Sequence, residues 1–402
     1  MIPRPTYLEQ IRPFIGTNVI KVLVGVRRCG KSSLLKLVQQ ELLNDGVAPT
    51  HLISINLESA EFQEISDSTA LIHAVASRVP TKLEGRVHIF LDEVQEVTGW
   101  EKAVRSFLVD YDADIYVTGS NAHLLSSDLA THITGRYVTI NVFPFSFKEF
   151  FGALKEHDDI DRQQAFTRYL NQGGFPFQTE LGFRPTPIMQ YLQDLYSTIL
   201  LRDIVEYASV RDVDQLQRIV RYAIAEEGHL LTPRKIANYL KSERRSVAQE
   251  TVANYLRAAQ AAFLLYQARR EDVAGKRHLQ FNEKYYVVDQ GLRQAIGMDN
   301  GANIDQVLEG IVYMELLRRG YEVTVGSVGD REVDFVARRN GLTEYYQVTY
   351  LLATPDVVAR EFGALAAIND NHPKYVLSMD PIARSEAGMR GLNIVDWLLE
   401  AS

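Results

Sequence analysis

The stretch Gly25-Val26-Arg27-Arg28-Cys29-Gly30-Lys31-Ser32-Ser33 constrains this chain more than any other. It fits G-x-x-x-x-G-K-[ST], with Gly25, Gly30, Lys31 and Ser32 at the fixed positions. An apolar run of strand length, Val19 to Val24, precedes it, and leucines and a valine at helical spacing follow from Ser33 to Leu43. Strand, glycine loop and helix, in that order, are the setting the motif requires. The glycines let backbone N–H groups close around phosphate oxygens, and the helix N-terminus adds positive potential. Residues 25 to 33 are thus the expected cradle for ATP. Lys31 is placed to reach the β- and γ-phosphates, and Ser32 to ligate Mg²⁺ through its hydroxyl.

The surroundings read as a parallel sheet. His51 to Leu57, Val87 to Glu93, Asp114 to Thr118 and Tyr137 to Ile140 are apolar runs of strand length. Thr69 to Val79 and Trp100 to Tyr111 read as helices between them. Strands alternating with helices make a parallel sheet covered on both faces, and ligand chemistry falls at its carboxyl edge. Asp92 and Glu93 end a buried strand there. Asp92 is expected to hold Mg²⁺, and Glu93 to orient the water that attacks the γ-phosphate. Ser120 or Asn121, at the end of the next strand, is expected to position that phosphate and the water. Arg136, before the fifth strand, is a candidate for the arginine that phosphoryl transfer often receives from a neighbouring subunit.

With 402 residues the chain has room for several domains. Its one cysteine, Cys29, rules out a disulfide framework, which fits a reducing cytosol. The first residues hold no apolar signal run, and no window approaches a membrane span. The expectation is a cytoplasmic protein without a membrane partner. From Phe143 the pattern turns helical, with Arg162 to Leu170, Ile188 to Tyr207 and Asp212 to Ala225 as helices. Residues 229 to 278 carry ten Lys or Arg against four acids, a local +6 in a chain of −8. Thr232 to Leu240 begins with an N-cap and a proline, a polar turn follows, then a helix from about Val247 to Leu264. With a basic turn and the strand around Tyr285 to Asp289, this reads as a winged helix-turn-helix. Arg234, Lys235, Arg244, Arg245, Lys276 and Arg277 are its candidate DNA contacts. A last α/β unit starts near Asn303, with strands at Tyr321 to Val325, Glu332 to Ala337, Glu344 to Thr349 and Lys374 to Ser378.

Taken together, Gly25 to Ser32, Leu91 to Gln95, Thr118 to Asn121, Gly135 to Tyr137 and Pro144 to Phe150 resemble AAA+ ATPases of a prokaryotic type. Gly173 to Pro176, Leu201 to Ile204 and Glu332 to Phe335 match the C-terminal region of the same proteins. The resemblance implies Mg-ATP hydrolysis in a ring oligomer, with a hexamer as one expected size and Arg136 acting across the interface. The last unit is similar to the PD-(D/E)xK nuclease fold. Glu309 and Asp334 fit its first two acids, but Gln347 and Thr349 stand where that pattern has an acid and a lysine. No lysine is expected to take the missing one's place.

The expected architecture is an AAA+ core over 1–144, a helical lid over 145–225, a winged helix-turn-helix over 226–300 and a nuclease-like α/β domain over 301–402. The expected function is a Mg-dependent ATPase that binds and remodels DNA, branched DNA included. The alternatives are a nucleotide-gated protein-binding module and an ATP-dependent nuclease.

Overall fold

The computed structural model describes residues 2–80, 85–125, 135–206, 210–273, 275, 277–278 and 283–400. The chain divides into two compact units, 1–143 with 261–263, and 144–260 with 264–402. The first unit is built on five parallel strands, β1 (Ile20–Val24), β2 (Leu52–Asn56), β3 (Val87–Asp92), β4 (Ala113–Gly119) and β5 (Tyr137–Asn141). Their order is β2-β3-β4-β1-β5. Every residue of β1, β3 and β4 is buried, as a parallel sheet covered on both faces demands. Helices Lys31–Asn44, Ser68–Ala76 and Trp100–Asp110 alternate with the strands. The first of them buries Leu34, Leu35, Val38 and Leu42, a stripe at helical spacing. Val24 lies beside Gly119, and Asn56 beside Asp92, so the ends of β1 to β4 share one edge.

The second unit opens with a capping box. Ser146 Oγ accepts from the Glu149 N–H at 3.1 Å, and Glu149 accepts from the Ser146 N–H at 2.8 Å. This is why Pro144 to Phe150 starts a helix, Phe147–Lys155. The glycine pair at 173–174 serves a close approach. Asp289 accepts from the Gly174 N–H at 2.6 Å, and a Cβ on Gly173 would lie 1.8 Å from that carboxylate. The single helix expected from Ile188 to Tyr207 is instead an α-helix, Pro185–Thr198, running into a wider π-helix, Ile199–Glu206. Helices Pro233–Ser242 and Gln249–Ala261 lead to the antiparallel pair β6 (Leu265–Ala268) and β9 (Lys284–Val287). The basic turn between those strands is partly strand. Here β7 (Arg270–Asp272) and β8 (Arg277–His278) join the C-terminal sheet, where Glu271 accepts two hydrogen bonds from Arg338, at 2.9 and 2.5 Å. The rest of that sheet is β10 (Glu322–Val328), β11 (Arg331–Arg339), β12 (Leu342–Val348), β13 (Lys374–Ser378) and β14 (Arg390–Asn393). The order is β14-β13-β12-β11-β10-β7-β8. Helix Ile304–Arg318 is buried on all sides beyond its first turn, and Pro355–Ala366 packs Val358, Phe362 and Leu365 against Val333, Val336 and Val376.

At the amino end of the first sheet, opposite the shared edge, lies a buried ionic cluster. Asp114 on β4 pairs with Lys21 on β1, and both side chains are fully buried. The same carboxylate accepts from Tyr116 OH at 2.8 Å and the Gly16 N–H at 2.9 Å, with His88 Nδ1 at 3.0 Å. Burial works to raise the Asp114 pKa, but His88 and Lys21 hold it below the usual carboxylate range. An Asp114→Ala variant strands a buried ammonium. It is expected to lose about 3–5 kcal/mol of stability in denaturant unfolding. A loss under about 1 kcal/mol, the size of an exposed ion pair, would contradict the role given to this cluster.

Candidate nucleotide site

The loop between β1 and helix Lys31–Asn44 is shaped by close backbone approach. A Cβ on Gly25 would lie 2.0 Å from the Val142 carbonyl oxygen, so only glycine fits there. Gly30 takes a left-handed conformation, with φ of 104°. Arg4 braces the loop from the N-terminal helix by donating to the Cys29 carbonyl at 3.0 Å and the Phe143 carbonyl at 2.9 Å. Val26, Arg27 and Cys29 are buried, whereas Arg28, Ser32 and Ser33 are exposed. Arg27 is engaged by Glu58 at 2.9 Å. Cys29 is fully buried and its thiol is pushed up by that burial, consistent with filler rather than a reactive group.

Lys31 sits at the centre. Its ammonium donates to the Gly25 carbonyl at 3.1 Å, the Val26 carbonyl at 3.3 Å and Ser120 Oγ at 2.9 Å, with Glu93 Oε1 at 3.4 Å. The Ser120 hydroxyl lies 2.9 Å from both Glu93 carboxylate oxygens, so it links the lysine and the acid. Burial works against the Lys31 charge, but the neighbouring acids, Glu93 foremost, raise its pKa. Burial likewise works to raise the Glu93 pKa. The Lys31 charge, then hydrogen bonds from Gln95 and Ser120, hold it below the usual range. Both groups are therefore charged at neutral pH.

Asp92 differs from its neighbour. Burial pushes its pKa up, against hydrogen bonds from Thr118 and Ser32. Ser32 lies in the first turn of the helix after the loop, close enough to Asp92 to favour its charged form, and a hydroxyl and a carboxylate are both hard oxygens of the kind a small hard cation takes. One hydroxyl sets both acids. Thr118 Oγ1 donates to Asp92 at 2.5 Å and accepts from the Glu93 N–H at 2.9 Å. Gln95 Nε2 donates to Glu93 at 2.6 Å. Glu93 has φ of 56° and Arg28 φ of 66°, both left-handed. Such backbone costs of order 1–3 kcal/mol and persists where its surroundings fix it, often at functional sites. Sequence reading assigned no role to Thr118 or Gln95, although both lie inside the quoted motifs.

The structure brings Lys31, Ser32, Asp92, Glu93 and Ser120 together, with Asn121 buried at the same strand end. Arg136 is not with them. It is exposed at the amino end of the edge strand β5, where its carbonyl accepts from the Ile20 N–H at 2.9 Å. Of the six basic residues, Arg234, Lys235, Arg244 and Arg245 are exposed. Lys235 pairs with Glu226, and Arg245 with Asp214 at 2.6 Å. Among the described residues, Arg234 and Arg244 form no ion pair. Lys276 lies outside the described residues, and only the backbone of Arg277 is described.

A second cluster lines a cavity of about 690 Å³ in the C-terminal region, where Glu309, Asp334, Gln347 and Thr349 meet as the sequence pattern expects. Lys284, from β9, also reaches it, 2.8 Å from Glu309 and 2.7 Å from Glu332. The expectation that no lysine enters this site is therefore corrected. A search of the third strand could not find a residue some 60 positions upstream. Burial works to lower the Lys284 pKa, but Glu309, Asp334 and Glu332 hold it above the usual range.

The AAA domain family matches residues 17–151, and a domain of unknown function, DUF8612, matches residues 163–303. An uncharacterized protein of Haemophilus influenzae is 38% identical over 405 residues, covering 100% of this chain and 99% of its own. An uncharacterized protein of Methanocaldococcus jannaschii is 29% identical over 347 residues, 83% of this chain and 72% of its own. The chain belongs to the same family as the Haemophilus protein, and its first unit carries an AAA domain. Among solved structures, the Aeropyrum pernix Orc1 protein in complex with DNA has a TM-score of 0.34 at 11% identity, over 76% of this chain and 94% of that one. The replication initiator DnaA bound to AMPPCP and single-stranded DNA has 0.31 at 15% identity, over 65% and 90%. Scores this low leave function to be argued from the site. Among the described residues, no helix is long and apolar enough to cross a membrane.

Proposed function

We propose that this protein is a Mg-dependent AAA+ ATPase that binds and remodels DNA, turning over ATP in a ring oligomer. The observation that carries the reading is the convergence of Lys31, Ser32, Asp92, Glu93 and Ser120 on one sheet edge beside a glycine loop. Lys31 receives the β- and γ-phosphates in place of its present carbonyl and carboxylate partners. Ser32 and Asp92 hold Mg²⁺, which when bound neutralises charge on the phosphate oxygens. Glu93, kept ionised by Lys31, then orients the attacking water and draws off its proton. Ser120 or Asn121 positions the γ-phosphate. Arg136, at the amino end of β5 and so at the opposite end of the sheet from its own loop, serves a neighbour's site.

DNA is held through its phosphates by a winged helix-turn-helix over 226–300. The C-terminal domain keeps a nuclease-like fold without cutting, because Gln347 is a neutral ligand and Thr349 cannot carry a lysine's charge. The pairing of Lys235 and Arg245 with acids favours a second reading, a nucleotide-gated protein-binding module.

Three measurements check this account. Lys31→Ala should weaken binding of a fluorescent ATP analogue at least tenfold, whereas Glu93→Gln should bind it normally and lower kcat by ~10² or more. Wild-type turnover by Glu93→Gln removes that residue from the chemistry. Mixing Arg136→Ala protein with Lys31→Ala protein should restore part of the lost ATPase activity, since some interfaces then have both groups intact. No recovery, with a monomer in light scattering, counts against the ring. Charge reversal at Arg234 and Arg244 should weaken binding to all DNA sequences alike and flatten its dependence on log salt by about two units of slope. Unchanged affinity would take this segment off the DNA surface and favour the protein-binding module.

A further inference from the structure

The acids of the C-terminal cavity already hold a cation, and it belongs to the chain. Glu309 comes from helix Ile304–Arg318, Glu332 and Asp334 from β11, and Lys284 from β9. The Lys284 side chain is 3% exposed. Its Nζ lies 2.8 Å from Glu309 Oε1, 2.7 Å from Glu332 Oε1 and 3.9 Å from Asp334 Oδ1. Several polar atoms around it also bond within the chain. Glu309 Oε1 also accepts from Tyr286 OH at 2.6 Å. Asp334 Oδ2 accepts from the Val348 N–H at 2.8 Å. Gln347 Oε1, which stands where the nuclease pattern has a metal-binding acid, accepts from the Asp334 N–H at 3.3 Å. A magnesium ion needs near-octahedral oxygens at about 2.1 Å, and the ammonium fills the space between the carboxylates that such an ion would use. Among the described residues, no three His, Cys, Asp or Glu side chains are set to hold a metal.

We propose that Lys284 is the resident cation of this cavity, standing in place of a divalent metal and locking the β6–β9 pair to the C-terminal sheet. The inference builds on the reading of this domain as nuclease-like and uncut, and it explains that reading by occupancy as well as by the loss of ligands. An ammonium neutralises the acids without polarising a phosphate or lowering the pKa of a water. It also ties the end of the basic segment to the following domain. An arriving DNA would therefore meet one rigid surface.

The test is a Mn²⁺ titration of the full-length, chelator-stripped, nucleotide-free protein, followed by loss of the free-ion paramagnetic resonance signal. Wild type and Asp334→Asn should bind the same number of ions. One additional ion in wild type, absent from Asp334→Asn, overturns the proposal. Lys284→Met should lower Tm by roughly 10 °C in metal-free buffer. It should regain part of that loss with Mn²⁺, and bind one ion that a Lys284→Met/Asp334→Asn protein does not. A Lys284→Met protein with wild-type Tm and no extra ion also overturns it. If Lys284→Met fails to fold, the comparison of wild type with Asp334→Asn still decides. The ion count is read apart from cleavage. Absence of cutting with one bound ion would spare the non-cutting reading and sink this one.

Discussion

The candidate nucleotide edge depends on β1 lying inside a parallel sheet, between β4 and β5. That placement sets the end of β1 beside Gly119, so the loop that follows β1 faces the residues that follow β4. Because β3 pairs with β4 in parallel, its terminal acids come to the same place. Lys31, Glu93 and Ser120 come from three elements and meet only because three strands run the same way in register. At the opposite end the same parallel arrangement gathers Lys21, His88 and Asp114, whose mutual satisfaction lets charged side chains sit in an otherwise apolar sheet. One end of the sheet pairs its polar groups with one another, and the other gathers Lys31, Glu93 and Ser120 beside the glycine loop.

The two acids that end β3 are adjacent in sequence but differ in character. Glu93 faces an ammonium and stays ionised, whereas Asp92 is pushed upward by burial. A cation at Asp92 would reverse that push, so the raised pKa is compatible with the ligand role proposed for it. The left-handed backbone at Glu93 turns its side chain toward Lys31, and Thr118 fixes the turn from the neighbouring strand.

The sequence made the first unit legible because its chemistry sits in contiguous motifs. Gly25, Lys31, Asp92, Glu93 and Ser120 each announce themselves through close neighbours and through the strands they end. Interactions between distant segments were not legible. Nothing near Gly173 and Gly174 indicates that Asp289 will fill the space a side chain would need. Nothing near Gln347 and Thr349 indicates Lys284, which arrives from a different element of the chain. The basic turn over 269–278 concealed β7, whose partner β10 lies about fifty residues further on. Each omission has one cause, since periodicity reports which face of an element is buried but not what covers it.

The central claim, proposed above, is that the Lys31–Glu93 edge turns over ATP and that this turnover is coupled to binding and remodelling DNA. The direct measurement is the steady-state ATPase rate of the full-length protein in Mg²⁺, alone and with duplex, single-stranded and four-way DNA. The account predicts turnover that rises with at least one of these DNAs. No turnover under any condition, or a rate indifferent to all of them, would contradict it.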